Sequence, residues 1–337
     1  MKKHAIIPIF ISHRGCPNDC VFCNQKKITA RQGDVTEEDV RNTIKTYLST
    51  LNDMNMETIE LSFFGGSFTG IPIEEQSRFL AIAYEYKQRG IIDKIHMSTR
   101  PDYIDREILD NLRKYSVDVI ELGVQSFDDA VLEKSNRGHS AAAVYDACRL
   151  IKEYGFTLGI QLMIGLPGDS LESCIYSARE TVKTAPEIAR LYPTIIIEDT
   201  ELLEMYRRGE YSPLTLDEAV AVTKEMYRIL DAAGINIIRV GLKSTDIINE
   251  DGAITGGTYH PAFRQLVESS IAREEIEKQL TATSGNISVI CNPSDISNAA
   301  GHNGCNRKYF AGKYPGLHIS FKKEESLDRN KYIVIQC

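Results

Sequence analysis

Cys16, Cys20 and Cys23 place three thiols within the eight residues Cys16-Pro17-Asn18-Asp19-Cys20-Val21-Phe22-Cys23. Thiolates are soft ligands that select iron–sulfur clusters, zinc or Cu(I). A structural zinc site closes with four protein ligands, and an ordinary cubane cluster takes four cysteines. No fourth cysteine stands near, the next being Cys148. A [4Fe-4S] cubane on three thiolates keeps one iron open for a small molecule. A zinc site with a distant fourth ligand is the competing reading.

Further residues with chemical potential follow at intervals. Gly65-Gly66 allows close backbone approach and positive φ. Gln125 offers an amide that can donate to and accept from a hydroxyl. Asn136-Arg137-Gly138-His139 carries a guanidinium and an imidazole that, read alone, would cap a helix terminus. Gln161 lies in Gly159-Ile160-Gln161-Leu162-Met163-Ile164-Gly165-Leu166-Pro167-Gly168. Tyr192, Tyr259 and His260 are candidates to line a cavity, where proton transfer or radical quenching could occur. Cys291, His302 and Cys305 could supply a second metal, but no tight Cys-x2-Cys pair supports it, and inert thiols are the plainer reading.

These residues need elements to hold them. Apolar runs at 5–12, 58–64, 94–99, 117–124, 156–164 and 188–197 read as strands. Amphipathic stretches between them read as helices. A capping-box pattern at Thr36 opens a helix reaching about residue 52. Helices are also expected over 73–89, 105–115, 128–135, 140–154, 170–184 and 215–233, several closed by glycine. Six strand–helix units in succession imply a parallel sheet covered by helices, and Ile195-Ile196-Ile197 fits a strand buried on both faces. The domain plan is a core over 1–244, a linker or lid over 245–262, and a small α/β module over 263–337. In that module helices are expected at 263–280 and 297–310, and strands at 287–291, 318–321 and 332–335.

The 337 residues are 42% hydrophobic and 26% charged, ordinary for a soluble globular protein. No apolar run is long enough to span a membrane, and the start lacks a signal-peptide pattern. Eight cysteines with one tight cluster suit a reducing compartment, so a cytoplasmic location is expected. The net charge of −8 argues against a large nucleic-acid footprint. Residues 1–31 nevertheless carry six lysines and arginines against Asp19, and a basic rim around the cysteines could attract phosphates. Scattered, solvated lysines read equally well.

The spacing Cys-x3-Cys-x2-Cys, with Phe22 before the third cysteine, resembles the signature of the radical S-adenosylmethionine (radical SAM) superfamily. The resemblance implies a partial (β/α)6 TIM-like barrel, with chemistry at the carboxyl ends of the strands. It implies that Cys16, Cys20 and Cys23 hold a [4Fe-4S] cluster whose open iron chelates S-adenosyl-L-methionine. Gly65 and Gly66 would meet its amino group, Gln125 its ribose, Arg137 its carboxylate and Gln161 its adenosine. A reductant such as flavodoxin or ferredoxin is implied as a partner.

The segments Ser98-Thr99-Arg100-Pro101-Asp102-Tyr103, Gly123 to His139, and Leu191-Tyr192-Pro193-Thr194 with Thr200-Glu201-Leu202 resemble one branch, the radical SAM half of the Elongator catalytic subunit. That likeness implies a tRNA base or nucleotide-like substrate and makes Tyr192 the candidate catalytic residue. Ser98 replaces a glutamate expected to hold the ribose, and Arg190 replaces a lysine. The branch's RNA-binding segment and acetyltransferase domain are not matched. A small metabolite, as in the coproporphyrinogen-oxidase-like branch, is the alternative substrate class, and a non-catalytic iron–sulfur or zinc protein the alternative function.

Overall fold

The structure is a computed structural model that describes residues 4–11, 16, 20–24, 35–51, 55–242 and 254–336. Seven parallel strands form one curled sheet in the order β1 (His4–Phe10), β2 (Thr58–Phe64), β3 (Lys94–Thr99), β4 (Val119–Gln125), β5 (Thr157–Ile164), β6 (Ile188–Pro193) and β8 (Asn236–Val240). Helices α1 (Glu37–Leu51), α2 (Ile73–Gln88), α3 (Arg106–Lys114), α4 (Asp129–Lys134), α5 (Ala141–Glu153), α6 (Leu171–Thr184), α7 (Glu201–Arg207) and α8 (Leu216–Ala232) connect them. The expected half-barrel is present, with a seventh strand added after α8.

The core lies between strands and helices. Leu61, Phe63, Ile95, Met97, Ile120, Leu122, Leu158, Ile160, Leu162, Ala189 and Leu191 alternate along the strands and join one cluster with Val144, Ile151, Met226 and Leu230 from the helices. The intervening residues face the concave side, where the polar ones collect. Helix starts follow local chemistry: Asp105, Asp128, Ser140, Ser170 and Thr215 each cap a helix with a side-chain oxygen.

The apolar run at 188–197 does not form one strand. Pro193 ends β6, and β7 (Ile195–Ile197) leaves the sheet to pair antiparallel with β9 (Ile254–Gly257). Proline cannot donate to a ladder, which favours a break there. β9 thus takes up part of the expected linker, while residues 243–253 lie outside the described residues. So does the basic cluster expected in residues 1–31: its lysines, arginines and Asp19 are not among the described residues.

Beyond β9, α9 (Phe263–Lys278) joins two cores. Its Phe263, Val267 and Ile271 pack into the barrel core. Its Ala272 and Ile276 pack with Ile287, Val289, Cys291, Phe310, Leu317 and Tyr332. These belong to α9 itself, α11 (Cys305–Lys313) and a three-stranded sheet ordered β11 (Gly316–Lys323), β10 (Ser284–Cys291), β12 (Tyr332–Gln336). The expected helix at 297–310 is broken into α10 (Ile296–Ala300) and α11, with Asn303 and Gly304 between them at positive φ. Cys291 is fully buried in the second core, and burial pushes its thiol up to about 11. Among the described residues no three histidine, cysteine, aspartate or glutamate side chains are gathered into a metal-binding group. No described helix is long and apolar enough to cross a membrane.

Candidate active site

The segment carrying Cys20 and Cys23 is pinned from three sides. The Val21 amide donates to the Ser135 carbonyl at 3.2 Å, and the Leu202 amide donates to the Val21 carbonyl at 2.7 Å. The Asn24 side-chain amide donates to the Glu198 carbonyl at 3.0 Å. Val21 and Phe22 pack with Ile196, Leu202, Leu203, Met205 and Tyr211 in a separate small core. The aromatic before the third cysteine is therefore an anchor. Thr200-Glu201-Leu202 is explained the same way: Thr200 caps α7 and Leu202 grips the cysteine segment.

Two arginines reach the thiols. Arg137 Nη1 donates to the Cys20 sulfur at 3.2 Å, and its Nη2 donates to the Gly123 carbonyl. Arg100 is nearly buried and bound bidentately to Asp102 at 2.9 and 2.8 Å. Burial opposes its charge, but Asp102 outweighs burial and the fields of Cys16 and Cys20 add to it, so the group is held charged more firmly than usual. The turn after β2 is tied to the end of β3. Thr69 and Thr99 hydroxyls meet at 2.6 Å, and the Ser67 hydroxyl accepts from the Arg100 amide at 3.0 Å. Gly65 has φ 97, a conformation suited to glycine.

A register shift in β4 between Gly123 and Gln125 sets the next pair of residues. Gln125 takes φ 70, rare for a non-glycine residue. The Gln161 amide donates to its Oε1 at 3.4 Å. A Cβ on Gly123 would stand 3.2 Å from the Gln125 amide nitrogen and 3.5 Å from Arg137. Glycine thus lets Gln125 and Arg137 pack close against the β4 backbone. Buried polar atoms without hydrogen bonds of normal geometry lie close by: Arg100 Nη1 and both ring nitrogens of His139. Burial first, then Arg137 and Arg100, lower His139 to about 4, so its ring is neutral at pH 7.

Deeper in the barrel a charged chain crosses four strands. His96 Nδ1 meets Glu60 Oε1 at 2.8 Å, and His96 Nε2 lies 3.8 Å from Glu121 Oε2. Glu121 Oε2 lies 2.6 Å from Arg190 Nε, an ionic contact that is not aligned as a hydrogen bond. Arg190 Nη1 donates to the Tyr192 hydroxyl at 3.2 Å. Burial alone would raise Glu60; its hydrogen bond and attraction to His96 reverse that and bring it down to about 2. Burial raises Tyr192, with Arg190 opposing. Ser98 belongs to this lower level: its hydroxyl donates to Glu121 at 3.3 Å.

The cysteines, Gly65, Gly66, Gln125, Arg137 and Gln161 all stand at or beyond the carboxyl ends of β1, β2, β4 and β5, or on the face those ends share. Ser98 and Tyr192 line the same concave side. The reading by motif passed over Glu60, His96 and Glu121. Their signal was available, as polar residues at every second position of apolar strands: Glu60 and Ser62, His96 and Ser98.

The donor set fits the implied groups on its chemistry. Cys20 in contact with Arg137, with the charge of Arg100 felt at Cys16 and Cys20, suits thiolate ligands. The amides of Gln125 and Gln161, with the unpartnered buried nitrogens of Arg100 and His139, suit a polar cofactor.

The sequence pattern of the Radical SAM superfamily matches residues 10–180, and that of the Radical_SAM C-terminal domain matches 186–273. The chain is 28% identical over 257 residues to the tRNA uridine(34) acetyltransferase of Methanocaldococcus infernus, covering 65% of this chain and 48% of that protein. It is 30% identical over 190 residues to Elongator complex protein 3 of Homo sapiens, covering 50% and 35%. It thus spans about half the length of these relatives, or less. Among solved structures it superposes on archaeal Methanocaldococcus infernus Elp3 lacking residues 1–46, with TM-score 0.66 and 23% identity over 81% of this chain and 64% of that one.

Proposed function

The chain belongs to the radical SAM superfamily, and from that premise we propose that it is an enzyme that cleaves S-adenosylmethionine reductively to abstract hydrogen from an organic substrate, with a tRNA base as the first substrate class to test. The observation that carries the reading is the meeting of the Cys20 sulfur, Arg137 and Gly123 at the end of β4. It joins the thiol cluster to the face that Gln125 and Gln161 line. Cys16, Cys20 and Cys23 would hold a [4Fe-4S] cluster, which when bound would supply the electron for reductive cleavage of the cofactor.

In this reading the chain's own residues bind and orient. Gly65 and Gly66 present backbone to the cofactor's amino group, Arg137 its guanidinium to the carboxylate, and Gln125 and Gln161 their amides to ribose and adenosine. Ser98, bound to Glu121, is the weakest of the cofactor contacts, because its hydroxyl is already directed at a carboxylate. Tyr192 accepts from Arg190, which leaves its own proton to offer into the cavity. The apolar wall of Ile9, Phe63 and Met97 behind the strands keeps the concave side backed by dry core. Flavodoxin or ferredoxin is the proposed electron donor. The tRNA reading rests on the names of the matched relatives.

The test is anaerobic reconstitution with iron and sulfide, followed by incubation with SAM and dithionite. Release of 5′-deoxyadenosine that Cys20→Ala abolishes supports the reading. Zinc copurifying in place of iron, or an intact cluster without cleavage, overturns it. Deuterium transfer from labelled substrate into deoxyadenosine, using total tRNA from a strain lacking the gene, tests the substrate class.

A further inference from the structure

Among the described residues the concave face carries a charge, that of Arg239, with no counter-charge bound to it. Arg239 lies in β8, the last strand of the sheet. β8 runs beside β6 with Ala189 opposite Ile237 and Arg190 opposite Arg239. One extra residue, Ile238, is therefore inserted in β8. Regular alternation from the buried Ile237 would send residue 239 toward the helices. The bulge exposes Ile238 to solvent and turns Arg239 onto the face shared by Arg190, while Val240 returns to the core. Bulges re-aim side chains in this way beside functional sites.

Its surroundings make that aim consequential. Arg190 is satisfied by Glu121 and Tyr192, and Glu121 also faces His96 and Ser98. Arg264, the other guanidinium nearby, is held by Glu268 and the Ile237 carbonyl. Among the described residues Arg239 has no ion pair or hydrogen bond, although its charge reaches Tyr192. It borders a cavity of about 380 Å³ along the outer edge of the sheet, lined also by Ile238, Leu242, Pro261 and Arg264. A half-buried guanidinium beside another one is costly without a counter-charge. Its planar fork matches an oxyanion.

We infer that Arg239 is a specificity residue that receives an oxyanion of the substrate, phosphate or carboxylate, at the open edge of the half-barrel beside Tyr192. This rests on the concave face being the substrate cavity of a radical SAM enzyme. The substrate enters past β8, its anionic group stops at Arg239, and the part to be activated extends toward the ends of β4 and β5.

The test uses the full chain, anaerobically reconstituted and saturated with SAM so that Arg137 is occupied by the cofactor carboxylate. Inorganic phosphate and acetate are titrated separately, with binding followed by ligand-observed NMR. Wild type is expected to bind one of them saturably, and the tighter one tells phosphate from carboxylate. Arg239→Gln is expected to weaken that binding about tenfold or more, as loss of a charge-assisted fork implies. Arg239→Lys, which keeps the charge and guards against a misfolded Gln variant, should fall between. Arg149→Gln, on the outer surface, should bind as wild type. No saturable binding in wild type, or equal binding in Arg239→Gln, overturns the inference. Substrate-free SAM cleavage on the same samples separates the two readings. Cleavage with no anion binding overturns only the role of Arg239, whereas anion binding with no cleavage overturns the proposed SAM-cleaving activity.

Discussion

Glu121 is the residue on which the barrel floor turns. It is 2% exposed and faces His96, Ser98 and Arg190. Removing one member of a buried ionic group strands the others, whereas removing both members of a pair together costs far less. Glu121→Ala should cost about 3–5 kcal/mol in urea unfolding, and Glu121→Ala with Arg190→Met much less, a coupling that a double-mutant cycle reads directly. His139 and Glu60 set the acid behaviour. His139 titrates lower in the fold than its usual 6.5, at about 4. The unfolded chain therefore binds its proton first, and this contribution to stability is present above pH 6.5 and declines as pH falls to about 4. Glu60 is depressed from 4.5 to about 2. Its contribution is complete above pH 4.5 and is lost as pH falls through about 2. In urea titrations at stepped pH, His139→Asn should flatten the slope between pH 6.5 and 4 and leave the limb below it, while Glu60→Gln should do the reverse.

At the level of elements, the cysteine segment depends on packing supplied by α4 and α7. Val21 is buried against Leu202, Leu203 and Tyr211, so Val21→Ala should lower retention of iron and sulfide during gel filtration. Its cost to the unfolding midpoint should be small, about 1–2 kcal/mol, because the small core lies apart from the main one. The end of α6 carries a backbone cost. Ala185 adopts φ 47, ψ 58, the left-handed C-cap that favours glycine. Ala185→Gly should stabilise by about 0.5–1 kcal/mol, a net of relieved strain against lost unfolded-state restriction. An unchanged or lowered melting temperature would show that the helix end relaxes without cost.

Over the whole molecule, α9 ties the half-barrel to the C-terminal module. Phe263 is 1% exposed within the barrel core, and its Cβ stands 2.8 Å from where a Cβ on Gly241 would be. Glu268 on the same helix is buried and held by Arg264 at 2.7 Å and by Asn298 at 2.8 Å. The two cores should therefore unfold together. Val267→Ala in the first and Ile276→Ala in the second should each lower one shared calorimetric transition, by about 2–4 kcal/mol for the larger deletion. Two separated transitions would show that the module at 263–337 is an independent unit.

The sequence by itself held the cysteine triad, the order of the first six strands and their helices, Gly65 and Gly66 after β2, Gln125 at the end of β4, Arg137 after α4 and Gln161 within β5. These are local signals: fixed spacing, alternation of apolar residues, caps and glycines. It also held Glu60, His96 and Glu121 in plain alternation, although single strands cannot say which face turns inward or whom a charge will meet. Only the tertiary structure decided that Ile195–Ile197 leaves the main sheet, that a seventh strand extends its edge, and that Cys291 is core. The same is true of the bulge at Ile238, which sends Arg239 inward. Each of those outcomes depends on pairing between segments tens of residues apart. A one-residue shift in such a pairing reverses every side chain beyond it, and no local pattern carries that information.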